Sequence, residues 1–384
     1  MTQHAMPDFV ARMPTFLDSS HDDVARGLSA FASRWPIDDH DALRAVDRLR
    51  EANAFDLLIP QKDGGKSVDP ARIDVRSLCV AREVIAWASP LADGIFAVQG
   101  LGSNPIVQTP AFPNRAEILR EVAAGTRVCG FALTEPEAGT DVASMRCTAR
   151  LEGDHWVLDG EKVFISNVGI AHQFVVFANA DPSAGKKGIS AFVVPKDAPG
   201  LTLEKVPMSL DHPLGRLLMK GCRVPKAALL GEVGHGMRLA LGTLDVFRTS
   251  VGAAACGMAR RALDETIARV KSRVQFGKPL AEFQLTQAAL AEMATDLDAA
   301  RLLVYRAAWL KDHGSRASTE VAMAKLFATE AAGRIIDRAV QLHGGLGVVL
   351  GSVVEQLYRE IRPLRIYEGT SEIQKLIIGG ALVG

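Results

Sequence analysis

Near Val128 the chain changes period. Upstream, from 24 to about 125, apolar residues recur at helical spacings. The run LRAVDRLREANAFDLLIP sets Leu43, Val46, Leu49, Leu57 and Leu58 on such a pattern and stops at Pro60. Residues 73–86 predict a second amphipathic helix running into Trp87 and a Ser89-Pro90 break, and 101–108 and 115–124 predict two shorter ones. Beyond Val128, β-prone segments follow one another, punctuated by Glu152-Gly153-Asp154 and Asp159-Gly160 as turn signals, so 128–232 predicts a small, mostly antiparallel β domain or barrel. From Gly236 longer helices return. Leu290, Met293, Leu297, Ala300, Val304 and Ala307 fall at steps of three and four, the seam of a helix packed lengthwise in a bundle, and 321–342 predicts another, ending at His343-Gly344-Gly345. The predicted class is α+β: an N-terminal helical domain (1–125), a middle antiparallel β domain (126–235) and a C-terminal four-helix-bundle domain (236–384). The alternation of a parallel α/β sheet is missing.

Composition narrows the function classes. Lys plus Arg and Asp plus Glu number 44 each, so net charge draws the chain neither to nucleic acid nor to an anionic membrane. Hydrophobic residues at 48% and charged residues at 23% are an ordinary globular balance. No stretch reaches the roughly 18 apolar residues of a membrane span, and the first twenty residues carry no apolar core of signal-peptide length. Cys79, Cys129, Cys147, Cys222 and Cys256 form no CxxC pair. That argues against a disulfide framework or a metal site and leads us to expect a cytoplasmic protein.

One local pattern carries chemistry. In VEQLYREIRPLRIYEGTSEIQKLII a helix breaks at Tyr367-Glu368-Gly369-Thr370 and a new apolar-periodic run starts, with Thr370 placed to cap it. A carboxylate at such a break between packed helices is rigid and partly desolvated, which suits a general base. Taken alone, the same pattern also fits a solvated glutamate in an ordinary glycine-capped corner.

Three separated motifs decide between these readings: LTEPEAGTD (133–141), RVQFGKPLAEFQ (273–284) and QLHGGLG with IYEGTSEIQ (341–374). Together, in this order and spacing, the chain resembles the acyl-CoA dehydrogenase family from about Leu43 to Ile378. The resemblance implies an FAD enzyme that removes two hydrogens across the α,β bond of an acyl-CoA thioester to give the trans-2-enoyl-CoA. The family's catalytic base matches Glu368. Its backbone N–H and a hydroxyl of FAD would bind the thioester oxygen as charge develops there. Some members place the base immediately before a buried arginine; here that arginine is Arg248 and the residue before it is Phe247, which accepts no proton. Asp245 stands one helical turn before Arg248 and is its simplest partner. Substrate contacts are expected from Arg248, Asp245, Phe247, Tyr367 and Thr140.

For the cofactor, the resemblance implies Phe131, Leu133 and Thr134 along the flavin, and Gly139 and Thr140 at the diphosphate. Phe164 would pack on the flavin, with the Ser166 hydroxyl near N5. Arg273, Phe276, Gln284, Gln341, Gly344 and Gly345 would reach the FAD of a neighbouring subunit, and Thr370 and Glu372 the diphosphate and ribose. A homodimer or homotetramer follows, with an electron-transfer flavoprotein as the expected electron acceptor. Trp87, Phe96 and Phe247 would shorten the acyl pocket if they faced it, favouring short, branched or cyclic acyl groups. SLDHPLGRLLMKGCRVP (209–225) replaces the family's usual Gly-x-Arg-x-Ser-x-Thr segment, and Glu137 stands where glycine is commoner. The Asp211-His212 pair in that segment reads as a turn-forming aspartate beside an exposed histidine rather than as a catalytic dyad. The alternatives are a flavin monooxygenase or oxidase on the same scaffold, argued against by the intact Tyr367–Thr370 corner, and a non-catalytic homologue, argued against by the retained Thr134, Thr140, Ser166 and Arg273.

Overall fold

The computed structural model describes residues 13–33 and 40–384. Helices come first: α1 (Ser19–Ala32), α2 (Ala42–Glu51), α3 (Val75–Ala88), α4 (Pro90–Val107) and α5 (Arg115–Ala123). A sheet of β1 (Cys129–Ala132), β2 (Thr148–Glu152), β3 (His155–Ser166), β4 (Gln173–Asn179), β5 (Ile189–Pro195), β6 (Leu201–Lys205) and β7 (Leu214–Pro225) follows. After it come α6 (Gly236–Ser272), a hairpin of β8 (Val274–Gln275) and β9 (Lys278–Pro279), then α7 (Gln284–Asp312), α8 (Ser318–His343), α9 (Val353–Glu360) and α10 (Ser371–Val383). The helix–sheet–helix order is the one the periodicity predicts.

The chain forms two compact units. One gathers the described residues of Met1–His40 with Asp74–Asp93 and Arg248–Gly384; the other holds Asp41–Ile73 and Gly94–Phe247.

In the first unit α1 packs on α3, α3 on α7, and α9 and α10 on α8, which itself lies along α7. Close approach of α6 rests on glycine. A Cβ at Gly252 would come within 2.8 Å of Val304 on α7, and one at Gly257 within 2.2 Å of the Glu83 carbonyl oxygen on α3. The α7 seam is buried at Met293, Leu297, Ala300, Val304 and Ala307. Helix α3 starts where the Asp74 carboxylate accepts from the Ser77 N–H and ends at Ser89. At its N-terminus Asp312 accepts from the N–H groups of Val75 and Arg76 at 2.8 and 3.0 Å.

The second unit holds the sheet, in strand order β1-β4-β2-β3-β7-β6 with β5 also on β4. Its hairpin pairs are antiparallel, as predicted. However, β1 runs parallel to β4, from Cys129 opposite Gln173 to Ala132 opposite Val176. Strand β1 enters from α5 rather than from a hairpin, so no tight turn imposes an antiparallel partner. Gly153 is the expected turn, with Glu152 opposite His155. Asp159-Gly160 is not a turn: it lies inside β3 at a register irregularity against β7, where Gly160 at φ 138° lets the strand pass over Cys147.

Two helix expectations are also corrected. The predicted helix through Leu58 stops at Glu51, because Asn53 turns left-handed (φ 52°) and 54–58 continue as a 3₁₀ turn. The separate helix predicted at 101–108 is the end of the continuous α4. That helix is buried on nearly all sides and so lacks the polar stripe that marks a helix in sequence.

Candidate active site

In the first unit, Tyr367–Thr370 forms the corner between the 3₁₀ turn Arg362–Arg365 and α10. Glu368 and Gly369 are consecutive left-handed residues, at φ 54° and 94°. For a glutamate this backbone costs about 1–2 kcal/mol and persists only when its surroundings hold it. Four side chains do so. Arg248 Nε donates to the Glu368 carbonyl oxygen at 2.9 Å. Lys325 Nζ and Gln374 Nε2 both donate to the Gly369 carbonyl oxygen, at 2.8 and 2.9 Å. The Thr370 hydroxyl accepts from the Ile373 N–H and caps α10. Position 369 favours glycine, since φ 94° strains any other residue and a Cβ there would also press on Gln374 Nε2 at 2.6 Å. Behind the corner, Glu330 on α8 binds both Arg365 and the Ser371 hydroxyl, pinning the start of α10 to the bundle.

The Glu368 side chain is half-buried, yet its Oε2 is enclosed without a hydrogen-bond partner. Among the described residues, the Glu368 N–H also has no acceptor. Burial raises the carboxyl pKa above its usual range; Arg82, Arg248 and Lys325 oppose that rise, and Asp93 adds to it. Arg82 is fully buried and holds Asp93 through two bonds of 2.9 and 2.7 Å and the Ser250 hydroxyl through a third of 3.1 Å. Burial also pushes the Tyr367 hydroxyl up, with the nearby Arg82 charge opposing it. Burial brings the Lys325 ammonium down to about 8, while Glu368 works to keep it charged. The result is an enclosed carboxylate with a free oxygen, a fixed direction and a balance of charge around it. Such a group can take a proton from carbon.

In the second unit, Leu133–Asp141 lies beside β3. The Val163 N–H donates to the Thr134 carbonyl oxygen at 2.9 Å. The fully buried Lys162 donates to the Leu133 carbonyl oxygen and to the Glu135 carboxylate, at 3.0 and 2.7 Å. Glu135 also accepts from the N–H groups of Arg146 and Cys147. Glu135 is therefore spent on the loop, which it makes rigid. Phe164 sits in the β3 irregularity at φ 56°, 67% exposed, and Phe131, Thr134 and Ser166 are half-buried nearby. An exposed ring in a strained bulge, flanked by hydroxyls, suits a flat ring system with polar edge atoms. Gly139 and Thr140 are exposed, and a Cβ at 139 would meet nothing within 4 Å, so no contact inside the chain requires glycine there.

Other predicted residues fall elsewhere. Arg273, Phe276, Gln284, Gln341, Gly344, Gly345 and Glu372 are exposed on the first unit, Phe276 being 95% exposed at the hairpin tip. Asp245 is half-buried on α6, and Phe247 is fully buried against Leu58 and Gly100; a Cβ on Gly100 would meet the Phe247 ring at 2.2 Å. The aromatic residues expected to shorten an acyl pocket are engaged in packing. Trp87 bonds Asp264 and lies under Arg261, and Phe96 stacks on Phe55. His212 is not the exposed loop histidine predicted, because its Nε2 lies 2.8 Å from the Ser166 hydroxyl. Sequence reasoning missed Arg82, Asp93, Ser250 and Lys325. Their only signal was a charge or hydroxyl at an otherwise buried helical position.

Comparison with known proteins places the fold in a family. The profile of the acyl-CoA dehydrogenase middle domain matches residues 130–222, and that of the acyl-CoA dehydrogenase C-terminal domain matches 234–383. The chain is 40% identical over 352 residues to the human mitochondrial short-chain specific acyl-CoA dehydrogenase, covering 90% of this chain and 84% of that one. It is 37% identical over 346 residues to a subunit of the caffeyl-CoA reductase–Etf complex of Acetobacterium woodii, covering 88% and 89%. Among solved structures, butyryl-CoA dehydrogenase of Megasphaera elsdenii superposes with a TM-score of 0.89 at 33% identity, covering 96% of this chain and 99% of that one. The chain belongs to the acyl-CoA dehydrogenase family of oxidoreductases.

Proposed function

We propose that the protein dehydrogenates an acyl-CoA thioester to its trans-2-enoyl-CoA, with Glu368 removing the α proton. The observation that carries this reading is the Glu368 Oε2, enclosed and unpartnered on a backbone held by Arg248, Lys325, Gln374 and Thr370. FAD, when bound, supplies the acceptor for the hydride leaving the β carbon, at flavin N5. Glu368 takes the α proton, and its backbone N–H donates to the thioester oxygen, lowering the cost of charge that gathers there as the C–H bond breaks. Arg248 and Lys325 hold the corner, and their charges oppose the rise that burial imposes on the carboxyl. Tyr367, beside Glu368 at the same corner, belongs with the substrate. Phe131, Leu133, Thr134, Phe164 and Ser166 receive the flavin, Gly139 and Thr140 its diphosphate, and Thr370 and Glu372 the diphosphate and ribose. Thr140 and Asp245 belong with the acyl-CoA, while Phe247 is buried against Leu58 and Gly100.

The substrate is a thioester with a compact acyl group, a reading supported by the short-chain and butyryl-CoA enzymes among its relatives. It no longer rests on Trp87, Phe96 or Phe247, all of which are buried in packing. The reduced cofactor is reoxidised by an electron-transfer flavoprotein; the caffeyl-CoA reductase–Etf relative supports this. The chain works as a homodimer or homotetramer, in which Arg273, Phe276, Gln284, Gln341, Gly344 and Gly345 contribute to a neighbour's FAD site. The five free cysteines are all buried, which fits a reducing cytoplasm. Among the described residues, no helix is long and apolar enough to cross a membrane. The test is anaerobic titration of the purified yellow protein with a panel of acyl-CoA thioesters. Bleaching of the flavin band by a compact acyl-CoA is the expected result; no bleaching by any thioester would overturn the reading.

A further inference from the structure

The segment 209–225 ends as β7 after placing His212 at the C-terminal end of β3. The His212 Nε2 and the Ser166 Oγ are 2.8 Å apart, a full hydrogen bond. The loop is tied on both sides of the histidine: its N–H donates to the Leu210 carbonyl oxygen at 3.0 Å, and its own carbonyl oxygen accepts from the Leu214 N–H at 2.7 Å. Leu214 is also the β7 partner of Ser166, so the strand register and the side-chain bond fix the same pair of segments. The ring's other face lies on α4. A Cβ on Gly94 would come within 2.8 Å of His212 Cε1 and 3.0 Å of Nδ1, so the glycine is what admits the imidazole. Burial brings His212 down to about 4, so near neutral pH the ring is uncharged and has one nitrogen that donates and one that accepts.

We propose that His212 is a positioning residue for Ser166, holding its hydroxyl in one orientation so that it presents a fixed polarity toward flavin N5. This rests on the reading above that Ser166 lies near N5. A serine hydroxyl has one hydrogen and two lone pairs and otherwise rotates to suit its surroundings. Bonded to His212, it has one of its three sites taken. When the hydroxyl donates to Nε2 its hydrogen is consumed and only lone pairs face outward, which favours a ring nitrogen that carries hydrogen; when Nε2–H donates, the hydroxyl hydrogen stays available to a ring nitrogen that accepts. The residue therefore acts on the equilibrium between oxidised and reduced cofactor rather than on proton removal.

The test measures the flavin midpoint potential and visible spectrum of the FAD-loaded protein, without turnover. Ser166→Ala and His212→Leu are expected to shift the two-electron potential in the same direction by about 30 mV, a tenfold change in the oxidation equilibrium. The double variant should shift it no further than either single one. His212→Gln, whose amide reaches the place of Nε2, should return the potential toward that of the parent. If His212→Leu fails to fold, Gly94→Ala displaces the ring instead and carries the same expectation. A shift in Ser166→Ala with none in His212→Leu would overturn the role of His212 and leave the placement of Ser166 intact. No shift in either, with FAD retained, would overturn the placement of Ser166 and the proposal with it.

Discussion

The helix break that carries Glu368 is readable in the sequence because its signals are local; the proposed role as base comes only with the three-motif resemblance. A glutamate before a glycine, followed by a capping threonine, marks a helix break, and the structure puts the break there. What holds and tunes that glutamate was not readable, because Arg82, Asp93 and Lys325 reach it from α3, α4 and α8, and a buried charge in an amphipathic pattern looks like noise until its partner is known. Lys325 has the clearest consequence. Its cation opposes the rise that burial imposes on Glu368, and its Nζ bonds the next carbonyl oxygen. Lys325→Met removes the charge, so burial acts less opposed and the Glu368 pKa rises further. Proton abstraction requires the carboxylate, so the rate is lost as pH falls through that pKa. The acid limb of the pH–rate profile for flavin reduction should therefore move to higher pH in the variant. An unmoved acid limb would remove Lys325 from the electrostatics of the site.

At the level of elements α7, with one wet face, was legible, whereas α4, wrapped on nearly all sides and interrupted by glycines, was read only at its end. The three-and-four seam of α7 found Leu297, Ala300 and Val304 because its other face is polar. In α4, Gly94, Gly100 and Gly102 look like loop residues, yet each marks a close approach: to His212, to Phe247 and to Cys129. The glycines of the long helices separate in the same way. Gly257 faces the Glu83 backbone, where a Cβ would come within 2.2 Å, whereas at Gly333 on α8 it would meet nothing within 4 Å. Gly257→Ala is expected to destabilise the protein by roughly 1–3 kcal/mol through forced separation of α6 from α3. Gly333→Ala is expected to stabilise it by about 0.5–1 kcal/mol through helix propensity alone. Urea denaturation of the two variants checks this, and equal effects would mean that the crossing of α6 and α3 is not set by Gly257.

For the molecule as a whole, the helix–sheet–helix order and the family were legible from period changes and three spaced motifs, whereas the compact units, each built from distant stretches, were not. Several apolar side chains stand exposed on the C-terminal helical region, including Phe276, Leu285 and Leu350, as expected if another copy of the chain covers them. Arg273→Ala should make FAD dissociate more readily while helical content, read by circular dichroism, is kept. Unchanged FAD affinity would show that Arg273 does not reach a cofactor. The central claim, that Glu368 is the base of an acyl-CoA dehydrogenation, is tested most directly by anaerobic stopped-flow reduction of the flavin in Glu368→Gln. This variant keeps the side chain's size but cannot accept the proton. The expected result is that FAD and acyl-CoA still bind while the bleaching rate falls by about 10²–10⁴-fold; bleaching at close to the parent rate would contradict it.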